Sequence, residues 1–205
     1  TPTTEIYTLS LHDALPILPV FAAPVGALTL HYGDKYSDQV YNDILVAACA
    51  KAGIAAFTGD GTDPSVMEGA AAAIAKNGGC GVPTVKPWNL ETIRQKMDLV
   101  KAADPFAIAM DIDAAGLPFL KNMTPPAGSK TVEELRQIVQ WAEKPFILKG
   151  IMTVEGARKA LEAGAAGIVV SNHGGRVQDG VPATASVLPA IAQAVKSQMV
   201  VLVDR

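Results

Sequence analysis

From Pro19 onward, short apolar runs alternate with longer segments in which apolar residues recur at helical spacing. The short runs predict strands near residues 20–23, 54–57, 81–85, 106–110, 145–148, 166–170 and 199–203. The longer segments predict helices near 38–52, 63–76, 89–102, 131–143, 153–163 and 184–196. Strict alternation of this kind signals βαβ units and a parallel sheet. Ile168-Val169-Val170 and Val200-Val201-Leu202-Val203 are unbroken apolar runs, as expected of strands buried on both faces.

Helix boundaries are marked in the same way. Asn89, Thr131, Thr153 and Thr184 are predicted N-caps, and Glu134 stands three residues after Thr131, the spacing of a capping box. Lys51-Ala52-Gly53-Ile54, Lys101-Ala102-Ala103 and Glu162-Ala163-Gly164-Ala165 form a weak repeat at helix ends, with glycine suited to a tight turn into the next strand.

Such alternation fits either an open doubly wound sheet or a closed barrel. The first strand-to-helix junction reads Ala22-Ala23-Pro24-Val25-Gly26, with no G-x-G-x-x-G, which disfavours a dinucleotide fold. The unusual polar residues instead gather at the strand-to-helix junctions, the barrel pattern. A whole barrel takes roughly 250 residues. Seven predicted strands therefore imply an incomplete (β/α)8 TIM barrel, lacking its eighth βα unit and the helix before it.

The chain has 205 residues, 49% of them hydrophobic and 18% charged, with a formal net charge of −3. That composition excludes a disordered chain and allows one sizeable core. No basic stripe is present, so neither nucleic acid nor an anionic membrane surface is an expected partner. No apolar run reaches the ~18 residues of a membrane span. Cys49 and Cys80 lie outside any CxxC pair, and histidine is scarce, so neither a metal site nor a disulfide framework is expected, and a reduced, cytoplasmic setting is.

Residues 1–17 stand apart. They have neither a basic n-region nor a continuous apolar h-region, so they are not a signal peptide. They resemble the in-frame translation of a sequencing-library adapter. The expected division is a non-native segment at 1–17 and a partial barrel domain at 18–205, with His12 and Asp13 carrying no function.

The candidate chemistry lies just past the strand ends: Thr58-Gly59-Asp60-Gly61, then Thr84 and Lys86, then Asp111-Ile112-Asp113, then Lys149-Gly150, then Ser171-Asn172-His173-Gly174-Gly175-Arg176. These segments are expected to converge once the barrel closes. In the last of them, two glycines let the backbone pass close to a flat or bulky group. Arg176 offers a bidentate fork for a carboxylate. His173 is a candidate general base, with Asp113 placed to orient its ring. Asp60 is read either as a loop cap or as a ligand contact.

Ser171-Asn172-His173-Gly174-Gly175-Arg176, followed by Gln178-Asp179, resembles the signature of the FMN-dependent 2-hydroxy-acid oxidases and dehydrogenases. Phe146-Ile147-Leu148-Lys149-Gly150-Ile151 resembles that family's fifth-strand lysine segment, and the likeness runs from about Pro19 to Val203. It implies bound FMN, a small 2-hydroxy-acid substrate and a homo-oligomer in the intact parent protein. It also implies roles for single residues. His173 would take the proton during oxidation to the 2-oxo acid, Asp113 would stabilise the charged imidazole, and Arg176 would hold the carboxylate. Lys149 would stand at the N1/O2 edge of the flavin, Ser171 would contact the flavin, and the backbone of Ala22 and Ala23 would run along its ring.

The chain departs from the family pattern in several places. Thr84 and Lys86 stand where the family carries Gln and Tyr, which assigns Thr84 to the flavin and Lys86 to the substrate. Asp111 replaces a flavin-side Thr. Lys121 is the nearest counterpart of the family's Arg after the fourth strand. The phosphate loops that follow the seventh and eighth strands would begin at Asp204, which leads to the expectation that this stretch alone binds FMN poorly and is an inactive fragment. The altered third strand also leaves open an FMN-dependent isomerase of the type 2 isopentenyl-diphosphate kind.

Overall fold

The computed structural model describes residue 16, residues 18–117 and residues 120–204; the adapter-like reading of residues 1–17 falls almost wholly outside them. In chain order the elements are β1 (Phe21–Ala22), α1 (Leu28–His31), α2 (Asp38–Ala52), β2 (Ala55–Thr58), α3 (Pro64–Lys76), β3 (Val82–Val85), α4 (Leu90–Lys101) and β4 (Ile108–Asp111). They continue with α5 (Val132–Ala142), β5 (Phe146–Lys149), α6 (Val154–Glu162), β6 (Gly167–Val170), α7 (Thr184–Val195) and β7 (Val200–Val203). All seven predicted strands and six predicted helices are present. The seven strands form one sheet in sequential order, every pair parallel, as an incomplete (β/α)8 barrel requires.

The sheet curls. Phe21 of β1 and Leu202 of β7, at its two edges, pack against the same inner cluster of Ala55, Phe57, Val82, Ala107, Ala109 and Val169. The alternating set, which includes Ile108, Met110, Phe146, Leu148, Ile168 and Val170, packs outward with the helices in a larger core. This two-residue period fixes the site: continuing the inner register upward from Ala109, Ile147, Val169 and Leu202 reaches Asp111, Lys149, Ser171 and Asp204.

Ser37, Asp63, Asn89, Thr131 and Thr153 cap their helices by side-chain oxygen, and Thr131 with Glu134 forms the full capping box. Thr184 corrects the prediction: it is the first helical residue of α7, and Ala183 takes the cap position with no side-chain bond. β7 departs too. Among the described residues it pairs with β6 alone, and Val200 and Val203 are exposed rather than buried on both faces.

Candidate active site

The predicted residues meet at the C-terminal ends of β3 to β7, and the curl of seven strands is enough to bring them together. Lys149 ends β5 almost wholly buried. Its ammonium donates to Ser171 Oγ at 2.7 Å and stands 3.6 Å from Asp111 and 3.4 Å from Asp204. Ser171 Oγ also accepts from the His173 backbone N–H at 3.3 Å, so one hydroxyl ties the lysine to the histidine turn. On the other side of Asp111, Lys86 Nζ lies at 3.6 Å. Two half-balanced cations around a buried carboxylate form a network in which removing any one partner strands another.

His173 follows β6 with a left-handed φ of 56°, in a short 3-10 turn (His173–Gly175). The turn aims Nδ1 at Asp113 Oδ1, 3.0 Å away; Asp111 Oδ1 is next, at 3.9 Å. Asp113 sits in a 3-10 turn (Ile112–Gly116) just past β4. Burial alone would raise the Asp111 carboxyl. Lys86, Lys149 and His173 outweigh it and hold the group below its ordinary 3.8. The ligand-type atoms of Asp111, Asp113 and His173 lie within 4.8 Å of one another, but the two ammonium groups already supply the cations that this cluster faces.

A cavity above these groups is walled by Lys86, Asp111, His173 and Arg176 on its polar side. Arg176 is exposed, its Nε donates to His173 O at 3.2 Å, and it makes no ion pair among the described residues. Thr84 is buried on the inner face, paired in register with Ala109. Ala22 packs outward, toward the α2 and α3 cluster, and Ala23 is exposed; the cavity wall begins one residue later, at Pro24. The side chain of Lys121 lies outside the described residues.

Asp60 resolves as a structural hub. Its Oδ1 accepts from Gly61 N at 2.8 Å and Lys96 Nζ at 2.7 Å, and its Oδ2 from Lys86 N at 3.0 Å and Trp88 Nε1 at 2.7 Å. The carboxylate therefore ties the β2 end to the β3 end and to α4, and holds the backbone from which Lys86 reaches Asp111. Its loop-cap role could be read from Asp60-Gly61. The three partners 26 to 36 positions away have no local signal. Also unpredicted are His31 and Tyr32 after β1, and Leu117, Leu120 and Met123 after β4, all of which line the cavity.

Residues 118–205 match the family described as FMN-dependent dehydrogenase. An L-lactate dehydrogenase of Chromohalobacter salexigens is 52% identical over 83 residues, which is 40% of this chain and 20% of that protein. One from Bartonella tribocorum is also 52% identical over 83 residues, 40% of this chain and 21% of its own length. The chain thus matches about a fifth of the length of these curated relatives. Among solved structures, a putative lactate oxidase of Pediococcus acidilactici superposes with a TM-score of 0.72 at 28% identity, over 91% of this chain and 56% of that one. A mandelate oxidase solved with a monooxide FMN adduct gives 0.66 at 32% identity, over 90% and 56%. Over residues 118–205 the chain is similar in sequence to FMN-dependent dehydrogenases, and over about nine-tenths of its length it is similar in fold to lactate and mandelate oxidases.

Proposed function

We propose that residues 18–205 carry the reacting face of an FMN-dependent enzyme that oxidises a 2-hydroxy acid to the 2-oxo acid. The observation that carries this reading is the 3.0 Å pairing of His173 Nδ1 with Asp113, beside an Arg176 that has no carboxylate partner among the described residues. An imidazole held by a carboxylate on one nitrogen presents the other as a base. A guanidinium beside it suits the substrate carboxylate.

The strand ends fit a flavin on their own chemistry. Lys149 has three N–H donors; one goes to Ser171, and Asp111 and Asp204 face the ammonium as ion pairs at 3.6 and 3.4 Å. It can therefore donate to an electron-rich ring edge, with Ser171 and Thr84 on the same inner face. Bound FMN would accept the two electrons that leave the 2-hydroxy carbon. Arg176 would fix the carboxylate, so that the hydroxyl-bearing carbon stands by His173. His173 would take a proton from the substrate, and Asp113 would stabilise the imidazolium formed. Lys86 would face the substrate with its charge balanced by Asp111. Similarity to lactate and mandelate oxidases favours oxidation over isomerisation.

No helix among the described residues is long and apolar enough to cross a membrane. We place the enzyme in the cytoplasm, as a homo-oligomer by analogy with the family.

The test is anaerobic addition of glycolate, lactate and mandelate to the flavin-loaded intact parent protein while its visible spectrum is recorded. Bleaching by any of them, lost in His173→Ala, supports the reading. A colourless parent protein that cannot be reconstituted with FMN sinks it.

A further inference from the structure

Resting on that oxidation reading, we infer that Asp111 sets the reduction potential of the bound flavin, its carboxylate offsetting Lys149 so that the ring takes up electrons less readily than the lysine alone would allow. The placement comes from strand register. Asp111 pairs with Lys149 across β4 and β5. The pairing of β3 with β4, carried one residue beyond Val85 and Met110, brings Lys86 level with Asp111. The pairing of Val170 with Val203, carried on by one residue, brings Asp204 level with Ser171. One level of the inner face therefore runs Lys86, Asp111, Lys149, Ser171, Asp204, and its charges alternate in sign.

The ion pairs follow that order: Lys86 to Asp111 at 3.6 Å, Asp111 to Lys149 at 3.6 Å, and Lys149 to Asp204 at 3.4 Å. Two ammonium groups face two carboxylates, so the row is neutral. Asp204 by itself would balance Lys149. The Lys86–Asp111 pair adds a carboxylate in register beside the lysine, where any ring edge that Lys149 meets also meets Asp111. The two electrons that leave the 2-hydroxy carbon, taken up with one proton, add one negative charge to a flavin ring. An ammonium at its edge stabilises that charge and raises the potential; a carboxylate beside the ammonium does the reverse.

Asp111 keeps its charge and its reach. It is nearly wholly buried, so salt and water screen it little. Against the upward push of burial, Lys86, Lys149 and His173 hold its carboxyl below the ordinary 3.8, and it is ionised at neutral pH. Its Oδ1, the atom that faces Lys149 and His173, accepts no hydrogen bond among the described residues, and Asp111 lines the cavity. No N–H or O–H donor therefore spreads the charge of that oxygen.

The test is the midpoint potential of FMN bound to the intact parent protein, read by equilibration with reference dyes and without any 2-hydroxy acid. Asp111→Asn should raise it by about 30 mV or more, which for a two-electron couple is a tenfold gain in affinity for reduced over oxidised FMN. Lys86→Gln should lower it. The double variant, whose row is neutral again, should return close to the wild-type value. A packing defect would not give opposite shifts that cancel. A potential unmoved or lowered in Asp111→Asn overturns the inference. The double variant strands no charge, so it should fold even where Asp111→Asn does not; a double variant with a potential as low as that of Lys86→Gln also overturns the inference. Anaerobic addition of lactate, glycolate and mandelate separates the two readings. The expected shifts in a flavin that no acid bleaches defeat the oxidation reading and leave the role of Asp111 standing, and bleaching with unmoved potentials does the opposite. A parent protein that takes up no FMN overturns both.

Discussion

Gly150 has no room for a side chain because Asp113 occupies it. A Cβ at Gly150 would lie 2.3 Å from Asp113 Cγ and 2.5 Å from its Oδ1, the atom that faces His173. Gly150 also holds a left-handed φ of 100°, which disfavours any side chain. The glycine after the β5 lysine thus sets the position of the carboxylate after β4. Gly150→Ala should cost about 2 kcal/mol of stability, through strain and displacement of Asp113. It should also slow substrate-driven flavin reduction by about 100-fold, since ångström-scale misplacement of a catalytic group has that effect. Thermal unfolding and anaerobic stopped-flow reduction measure the two. Reduction at the wild-type rate would show that Asp113 does not support the base.

Arg176→Lys should raise the half-saturating substrate concentration by roughly tenfold or more, because an ammonium cannot make the paired N–H contacts of a guanidinium. The limiting reduction rate should change less. Titrating the rate of flavin bleaching against substrate separates the two quantities. A shift under twofold would move the carboxylate site away from Arg176.

Asp60 makes a different kind of claim. Its four accepted hydrogen bonds are all to donors that have no replacement in view, one of them the Lys96 ammonium. Asp60→Ala would leave a largely buried cation and an indole N–H unpaired, at a cost of about 3–5 kcal/mol. Asp60→Asn should cost less, because its carbonyl can still accept from Trp88 or Lys96. Urea unfolding of both variants checks the order. An Ala variant within 1 kcal/mol of wild type, on the usual scale of surface substitutions, would mean that the hub is dispensable.

The contrast between Asp60 and β7 shows where local pattern stops. Short continuous apolar runs located every strand, because a parallel strand covered by helices must be apolar wherever it runs. The strand ends so located put Asp111, Lys149, Ser171 and His173 just past them, while Asp113 as the partner of His173 was a candidate drawn from residue type. Two things escaped it. Val200-Val201-Leu202-Val203 is as apolar as β6, but its burial depends on what lies beyond its free edge, which the run itself does not record. The partners of Asp60 lie on β3 and α4, so its role depends on tertiary closure rather than on neighbours in the chain. The missed cap at Thr184 is smaller: a threonine and an alanine one residue apart differ by one step in the chain entry, within the usual uncertainty of a helix start.

Asp111 supplies a pH dependence. Its folded carboxyl is held below its ordinary 3.8, so the ionised form is favoured by folding. The stability it contributes is then fully present above the unfolded value near 3.8 and is lost as pH falls through the lower folded value. Asp111→Asn removes that contribution and leaves Lys86 and Lys149 with less countercharge, on the order of 3 kcal/mol at neutral pH. The gap between wild type and variant should therefore be widest at neutral pH and narrow below pH 3.8. Unfolding midpoints from pH 7 down to pH 3 test it. A gap that widens on acidification would reverse the sign and place the stabilising proton on Asp111 itself.

Asn42 offers the opposite test, a substitution that should strengthen the fold. It lies fully buried in α2, and neither its Nδ2 nor its Oδ1 has a hydrogen-bond partner among the described residues. Burying an amide unpaired costs about 1–3 kcal/mol, and an apolar side chain of similar size escapes that cost. Leucine has close to the right volume and a better helix propensity. Asn42→Leu should raise stability by about 1 kcal/mol, seen as a rise of a few degrees in the thermal midpoint for a chain of this size. Because Asn42 is outside the cavity wall, substrate-driven flavin reduction should not change. A loss of 1 kcal/mol or more would show that the amide is engaged in the folded protein, and that this part of α2 serves something besides packing.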